Sequence, residues 1–202
     1  MAIANGYVTL AEVKAAARIT DSVDDALLET SIEASSRLID GYTERRFYTG
    51  GTETRYYSAS HHYWVDVDDL AGTAITLETS SDLDGIYDET WLTTDYQLEP
   101  GNSRASGLDW PVTRLRAVGD NLFPIGAEFG VKVTGVFGFG TAVPTAVKQA
   151  CLIMSLRQFK RYDSALGVAG FGGDIGVIRV GRVDPDIDAL LRPYRRTVVG
   201  VA

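Results

Sequence analysis

The fold class is indicated first by residues 7–47, which read YVTLAEVKAAARITDSVDDALLETSIEASSRLIDGYTERRF. Thr9 and Glu12 form a capping-box pattern, and apolar residues follow at helical spacing, so a short helix is predicted to begin here. After a break at residues 20–22, a second helix is predicted from about Val23 to Tyr42, with a broad apolar face. Gly41 is expected to help end it.

The pattern changes between Gly50 and Gly140, where short runs rich in Val, Ile, Thr, Tyr and Trp alternate with turn residues. Three runs have a period of two, which indicates antiparallel strands with one buried face. Their apolar members are Tyr63, Val65 and Val67, then Ile75 and Leu77, then Phe129, Val131 and Val133.

A third helix is predicted to begin at Pro144, and it is apolar on two faces. One face carries Val147, Ala150, Cys151 and Met154, and the other carries Leu152, Leu156 and Phe159. The glycine-rich stretch from Gly167 to Gly176 is expected to be a mobile loop. A short last helix is predicted to follow Asp184-Pro185 and to end at Pro193, leaving an exposed tail from Tyr194 onward.

Together these elements predict an α+β protein, in which a helical bundle carries a β-rich insertion between the second and third main helices. The predicted division is 1–49 for the N-terminal helical part, 50–140 for the insertion, and 141–202 for the C-terminal helical part with the glycine-rich loop and the tail. The helices are separated in sequence, so we expect them to pack together in space.

The charge of the chain excludes several functions. Its net charge of −8 argues against general affinity for nucleic acid, which requires clustered Lys and Arg. Residues 144–202 carry nine Lys and Arg against five Asp, while the rest carries ten Lys and Arg against twenty-two acidic residues, so the two parts have net charges of opposite sign.

No apolar stretch approaches the length of a membrane-spanning helix, and no export signal is recognisable, so no membrane partner is expected.

No combination of residues in the sequence predicts catalysis, a metal or a cofactor. His61 and His62 lie near Asp66, Asp68 and Asp69, but adjacent strand side chains point to opposite faces, so an exposed turn is favoured over a metal site. The glycines of residues 135–140 lack the pattern of a phosphate-binding loop. Ser103 lacks the second glycine of a nucleophile elbow. We therefore expect a protein that is not an enzyme.

Aromatic residues cluster at Tyr56, Tyr57, Tyr63 and Trp64. A half-buried sheet face is favoured for them over a platform that binds sugars or bases.

Both helical ends of the chain resemble the phage head-tail connector (head-to-tail adaptor) family. At the N-terminus the resemblance lies in residues 7–14, 24–28, 32–35 and 39–43, with Arg46-Phe47. At the C-terminus it lies in residues 135–138, 143–144 and 147–150, in Tyr162, in Asp184-Pro185 and in residues 191–194. It thins out across the β-rich middle.

The resemblance implies a structural virion protein of the viral neck, made in the host cytoplasm and active as a ring of identical subunits, expected to be a dodecamer. The ring would lie between the portal protein and the stopper or tail completion protein, and DNA would pass through its channel without sequence-specific binding. An acidic chain suits such a channel because it repels phosphate.

Two groups of residues are candidate contact sites in such a ring. Portal binding is expected at the tail, which joins an aromatic residue and two arginines to a β-prone run: Tyr194, Arg195, Arg196, Val198 and Val199. The subunit interface is expected to include Leu152, Leu156, Phe159 and Phe171. The alternative function is a β-rich accessory binding module of a phage tail, which a peripheral trimer or monomer would indicate. A hydrolase would need a pocket with a nucleophile or a metal.

Overall fold

The computed structural model describes residues 3–80, 82, 84–102, 109–126, 128–163 and 185–196. Within these ranges the helices are α1 (Leu10–Ala17), α2 (Asp25–Thr43), α3 (Thr145–Asp163) and α4 (Pro185–Leu191), followed by a 3₁₀ turn at Arg192–Tyr194. The strands are β1 (Thr52–Tyr57), β2 (Trp64–Leu70), β3 (Thr76–Thr79), β4 (Glu89–Trp91), β5 (Tyr96–Glu99), β6 (Val112–Ala117) and β7 (Val131–Val136). The predicted mixed α+β class is confirmed.

The chain forms two units. The helical unit combines Met1–Arg45 with Val143–Ala202, and the β unit is Arg46–Ala142. Several predicted features lie outside the described residues: the loop at 167–176 with Phe171, Asp184, Ser103, and the tail residues Val198 and Val199.

The N-terminal helices begin close to where the sequence predicts. The capping box of α1 is present, because the Thr9 hydroxyl accepts the Glu12 N–H and the Glu12 carboxylate accepts the Thr9 N–H. The prediction for Gly41 is wrong: α2 continues to Thr43, and the left-handed residue that ends it is Glu44, at φ 54°. Gly41 is exposed, and a Cβ added there would meet nothing within 4 Å.

Helices α2 and α3 pack together around hydroxyl-bearing and small side chains. Ser36, Ser155 and Cys151 are all buried, and the Ser36 Oγ lies 3.5 Å from the Cys151 Sγ. Each serine also donates to the carbonyl oxygen four residues earlier in its own helix, so its hydroxyl is satisfied inside the contact. Burial raises the pKa of the Cys151 thiol, as expected for a packed, unreactive cysteine.

The β unit contains two antiparallel sheets. One has strand order β1-β7-β3-β4, and the other has order β2-β6-β5. Their inward residues form one core, which includes Val65, Leu77, Leu115, Val133 and Phe137.

The predicted two-residue alternation is correct for the centres of strands and wrong at two of their ends. Val65, Val67, Leu77, Val131 and Val133 are each at most 1% exposed. Tyr63 and Phe129, predicted to share their buried faces, are instead 52% and 57% exposed. Both lie outside the strands, where the pleat that fixes side-chain direction has ended.

The β unit begins and ends at nearly the same point. The Phe139 N–H donates to the Arg46 carbonyl oxygen at 2.8 Å, and the Arg46 guanidinium donates to the Phe137 carbonyl oxygen at 3.0 Å. The rings of Phe47 and Phe139 pack at a tilt of 41°, with their centroids 5.0 Å apart. The chain therefore enters and leaves this unit side by side. Among the described helices, none combines the length and the apolarity required to cross a membrane.

Candidate assembly surfaces

Helix α3 has one buried face and one half-buried flank. Val147, Ala150, Cys151 and Ser155 are fully buried in the helical unit. Leu152, Leu156 and Phe159 lie beside that face and are only partly covered. The predicted Met154 is half-buried rather than part of the buried face. We call Leu152, Leu156 and Phe159 the apolar flank; it is the part of the expected subunit interface that the structure describes.

The start of the predicted tail is attached to the end of α2. The Arg196 N–H donates to the Thr43 carbonyl oxygen at 2.8 Å, which satisfies one of the carbonyls left open at a helix C-terminus. The Arg195 guanidinium lies 5.5 Å from the centre of the Tyr42 ring. Asp188 of α4 accepts a hydrogen bond from the Tyr42 hydroxyl, and this bond raises the pKa of that hydroxyl.

The expectation of an exposed tail from Tyr194 onward is therefore corrected. Tyr194 and Arg196 are half-buried, while Arg195 is exposed. Leu191, at the end of α4, is buried and ties this segment to the helical unit. The described part of the tail, as far as Arg196, is thus packed on the helical unit.

The predicted aromatic cluster is divided between two places in the β unit. Tyr56 and Tyr57 lie in a cleft of about 550 Å³, whose other walls are Arg55, Asp68, Tyr87 and Phe129. Tyr63 and Trp64 lie elsewhere, beside His61, whose ring stacks on Trp64 at 3.5 Å. Alternation within β1 explains why Tyr56 is exposed while Tyr57 packs against the core.

Phe129 is held in the cleft by its own backbone. Its φ of 59° is unusual for a bulky residue, and two hydrogen bonds fix it. The Phe129 N–H donates to the Ser58 Oγ at 2.9 Å, and its carbonyl oxygen accepts from the Tyr87 hydroxyl at 2.6 Å. The two hydrogen bonds thus hold the backbone of Phe129 in place while its phenyl ring stays exposed.

The polar wall of the cleft is an ion-pair network. Arg55 pairs with Glu53 at 2.7 Å and with Asp68 at 2.8 Å, and its guanidinium lies 4.2 Å from the Phe137 ring centre. Arg55, and then Arg46, hold the pKa of the Glu53 carboxyl below its ordinary value. Burial raises the pKa of the Tyr57 hydroxyl far above its ordinary value. The Arg55–Asp68 pair joins β1 of one sheet to β2 of the other, and none of these groups is arranged as an acid/base pair.

The histidines and the neighbouring carboxylates have other partners. A ring nitrogen of His62 lies 3.2 Å from the Phe123 carbonyl oxygen. Asp66 pairs with Arg114 at 2.7 Å, and Asp68 pairs with Arg55. Over the described part of the chain, no group of three or more His, Cys, Asp and Glu side chains is arranged to hold a metal ion.

Residues 7–69 match the family model described as phage gp6-like head-tail connector protein. That range includes α1, α2, β1 and nearly all of β2. The resemblance to head-tail connectors is thereby confirmed for the N-terminal part of the chain. The description names a connector and no catalytic activity. No curated protein matches the chain.

Solved structures of similar fold come from gene transfer agent particles. A chain from the neck of the native particle, computed with C12 symmetry, matches with a TM-score of 0.59 and 16% identity. A chain from the neck of the empty particle, computed with C6 symmetry, matches with a TM-score of 0.57 and 19% identity. A chain from the native virion matches with a TM-score of 0.54 and 19% identity. Each match covers 99% of this chain and 96% of the other. The likeness therefore extends to the fold of both units.

Two cleft residues, Tyr87 and Phe129, were not predicted from the sequence. They lie 30 and more positions from Tyr56 and outside the strands, and only strand pairing brings them to β1. Phe129 was predicted only as a buried member of a strand. The positive φ of Phe129 has no signal in the sequence, because left-handed residues are usually Gly, Asn or Asp.

Proposed function

We propose that this chain is a head-to-tail adaptor of a virion, which assembles into a ring in the neck between the portal protein and the stopper or tail proteins. The observation that carries the proposal is the joint match of residues 7–69 to the connector family and of nearly the whole chain to the fold of neck chains. The expected ring is a dodecamer, in line with the C12 symmetry with which one of those necks was computed.

DNA passes through the proposed ring without being bound in a sequence-specific manner. The net charge of −8 supports this role, because an acidic protein repels the phosphates of DNA. The β unit is proposed to be an insertion between α2 and α3, and the meeting of its two ends at Arg46 and Phe139 supports that layout.

The proposed contact with portal uses the segment that begins at Tyr194 and includes Arg195, Arg196, Val198 and Val199. The hydrogen bond from the Arg196 N–H to the Thr43 carbonyl oxygen holds the start of the segment on the helical unit. Arg195 is exposed and charged, as expected for a residue that meets an acidic partner.

The test is to add purified chain to DNA-filled capsids that carry portal but lack a neck, and to image the portal vertex by electron microscopy. The proposal predicts a twelve-fold ring of this chain bound to the portal, with an open central channel. Chain bound at the particle periphery, or no binding to portal while the chain is folded, would refute it.

The second candidate is a β-rich accessory binding module of a phage tail. The observation that favours it is the cleft of Tyr56, Tyr57, Tyr87 and Phe129, in which an exposed phenyl ring is held on a strained backbone. The same imaging experiment separates the two candidates, because this module would label tail structures and leave the portal vertex bare.

A further inference from the structure

The outward surface of α2 is divided into a charged side and an uncharged side. With about 100° of rotation per residue, side chains three or four positions apart share one side of a helix. One side carries Glu29, Glu33, Arg37 and Asp40. The other side carries residues without charge, which we call the α2 strip: Leu27, Thr30, Ala34, Leu38 and Gly41.

The α2 strip is open to solvent within the protomer. Leu38 is 54% exposed, and Thr30, Ala34 and Gly41 are exposed as well. Glycine is less favourable than alanine inside a helix, and a Cβ at Gly41 would meet no protomer atom within 4 Å. Packing inside the protomer therefore explains neither the exposed leucine nor the glycine.

Helix α3 offers a surface of complementary character. Its apolar flank of Leu152, Leu156 and Phe159 is only half-covered. The helix contains four Lys and Arg against one Asp, a net charge of +3, whereas α2 contains four Asp and Glu against one Arg, a net charge of −3. Two such helices attract one another across a contact.

We propose that the α2 strip of one protomer binds the apolar flank of α3 of a second copy of this chain. The inference rests on the proposed ring and names the surfaces that close it. The two surfaces differ, so the contact is heterologous: each protomer gives its α3 flank to one neighbour and receives the α3 flank of the other on its α2 strip. Repetition of a heterologous contact produces a ring when the rotation closes.

The charged rim of this contact is formed by Glu33 of one copy and Lys160 of the next. Glu33 and Arg37 have the i,i+4 spacing of a helical ion pair, but Arg37 pairs with Asp40, at 3.1 Å. Within the described ranges, neither Glu33 nor Lys160 forms an ion pair. Both are therefore available to each other in the assembled ring, where their pairing fixes the register of the two helices.

The first test measures ring formation by the full chain, alone and on portal particles, by native mass spectrometry and electron microscopy. Leu38→Glu, on an exposed site, and Lys160→Glu are expected to raise the concentration for half-assembly by about tenfold or more, since both interrupt the contact. The matched control is Leu92→Glu, which makes the same leucine substitution at a 68% exposed site in the β unit and is expected to assemble normally.

The second test reads the direction of the contact. A chain with both Leu38→Cys and Lys160→Cys should give a ladder of disulfide-linked multimers on mild oxidation. An equal mixture of the two single-cysteine chains should stop at dimers, and each single variant should give no product. Native Cys151 contributes little, because it is buried and its thiol pKa is raised.

Failure of this inference and failure of the proposed function have different signatures. If the parent chain forms rings and the Leu38→Glu and Lys160→Glu variants form them equally well, the assigned surfaces are wrong while the ring stands. Self-linking of a single-cysteine variant would likewise overturn the heterologous arrangement. If the parent chain forms no ring, with or without portal, the proposed function fails and this inference fails with it.

Discussion

Replacement of the β unit by a short linker tests the proposed insertion directly. The Phe139 N–H and the Arg46 carbonyl oxygen are 2.8 Å apart, and Ala142 follows Phe139 by only three residues. Since each residue spans at most about 3.6 Å, a Gly-Ser linker of about six residues covers the gap between the ends of the unit. The helical unit is expected to fold without its β unit.

The size of the spectroscopic change follows from the residue counts. The described α-helices contain 8, 19, 19 and 7 residues, and all of them lie in the helical unit. That unit comprises 105 of the 202 residues, so its helical fraction is about twice that of the whole chain. With the linker of about six residues included, the magnitude of the mean residue ellipticity at 222 nm should therefore rise about 1.8-fold, and the signal should be lost in one cooperative thermal transition.

The isolated β unit, Arg46–Ala142, is the complementary control. It has a core of its own, which includes Leu115, Phe123 and Phe137, so it is expected to fold alone and to show a β-type spectrum. The helical remnant retains the α2 strip and the apolar flank, so it should also form rings. A remnant with a coil-like spectrum and no cooperative transition would refute the insertion layout, most clearly if the isolated β unit folds.

Three further predictions concern single sites. Gly138→Ala should lower the free energy of unfolding by about 2 kcal/mol or more, because Gly138 has a φ of 140° and an added Cβ would overlap the Tyr48 carbonyl oxygen. The control Gly126→Ala, at φ 84° in open space, should cost less. Equal urea midpoints for the two variants would contradict the clash. Glu53→Gln should destabilise the chain near neutral pH but not in acid. The folded pKa of Glu53 lies below 4.5, so its stabilisation is present above that pH and is lost as the pH falls through the folded pKa; a constant difference in urea midpoint from neutral to acid pH would argue against it. Removal of residues 195–202 should leave the protomer folded and weaken portal binding more than removal of 197–202, and the difference between the two truncations should shrink as salt rises. If the two truncated chains bind portal equally well at low and at high salt, Arg195 and Arg196 are dispensable.

The helices were the most predictable part of the fold, because their signals are local. The capping box that starts α1 involves only Thr9 and Glu12, which are three positions apart in the sequence. The end of α2 was predicted to within one residue, at Tyr42 instead of Thr43, but the residue that ends the helix was not: Gly41 is a strong breaker in sequence, whereas the helix ends at a left-handed Glu44. The anchoring of Arg196 on Thr43 joins residues far apart in the chain, so no local pattern predicts it.

The strands were predictable at their centres but their partners were not. Alternation in residues 131–133 predicts which side chains of β7 are buried. It does not predict that β7 pairs with β1 and β3, which lie in a distant part of the chain. Pairing of this kind depends on the free energy of the assembled core, which no short window of sequence contains. The aromatic cleft is a product of that pairing, and for this reason half of its aromatic residues were missed.

Exposure, rather than sequence, separates the two apolar faces of α3. Both faces read alike along the chain, and both would suit a protomer core. In the folded unit, α2 covers the side of Cys151 but leaves the side of Leu156 only half-covered. A monomer derives little benefit from a second apolar face, whereas a ring needs two unlike surfaces on every subunit. The charge difference between α2 and α3 then assigns those surfaces to each other, and the Leu38→Glu and Lys160→Glu variants test that assignment.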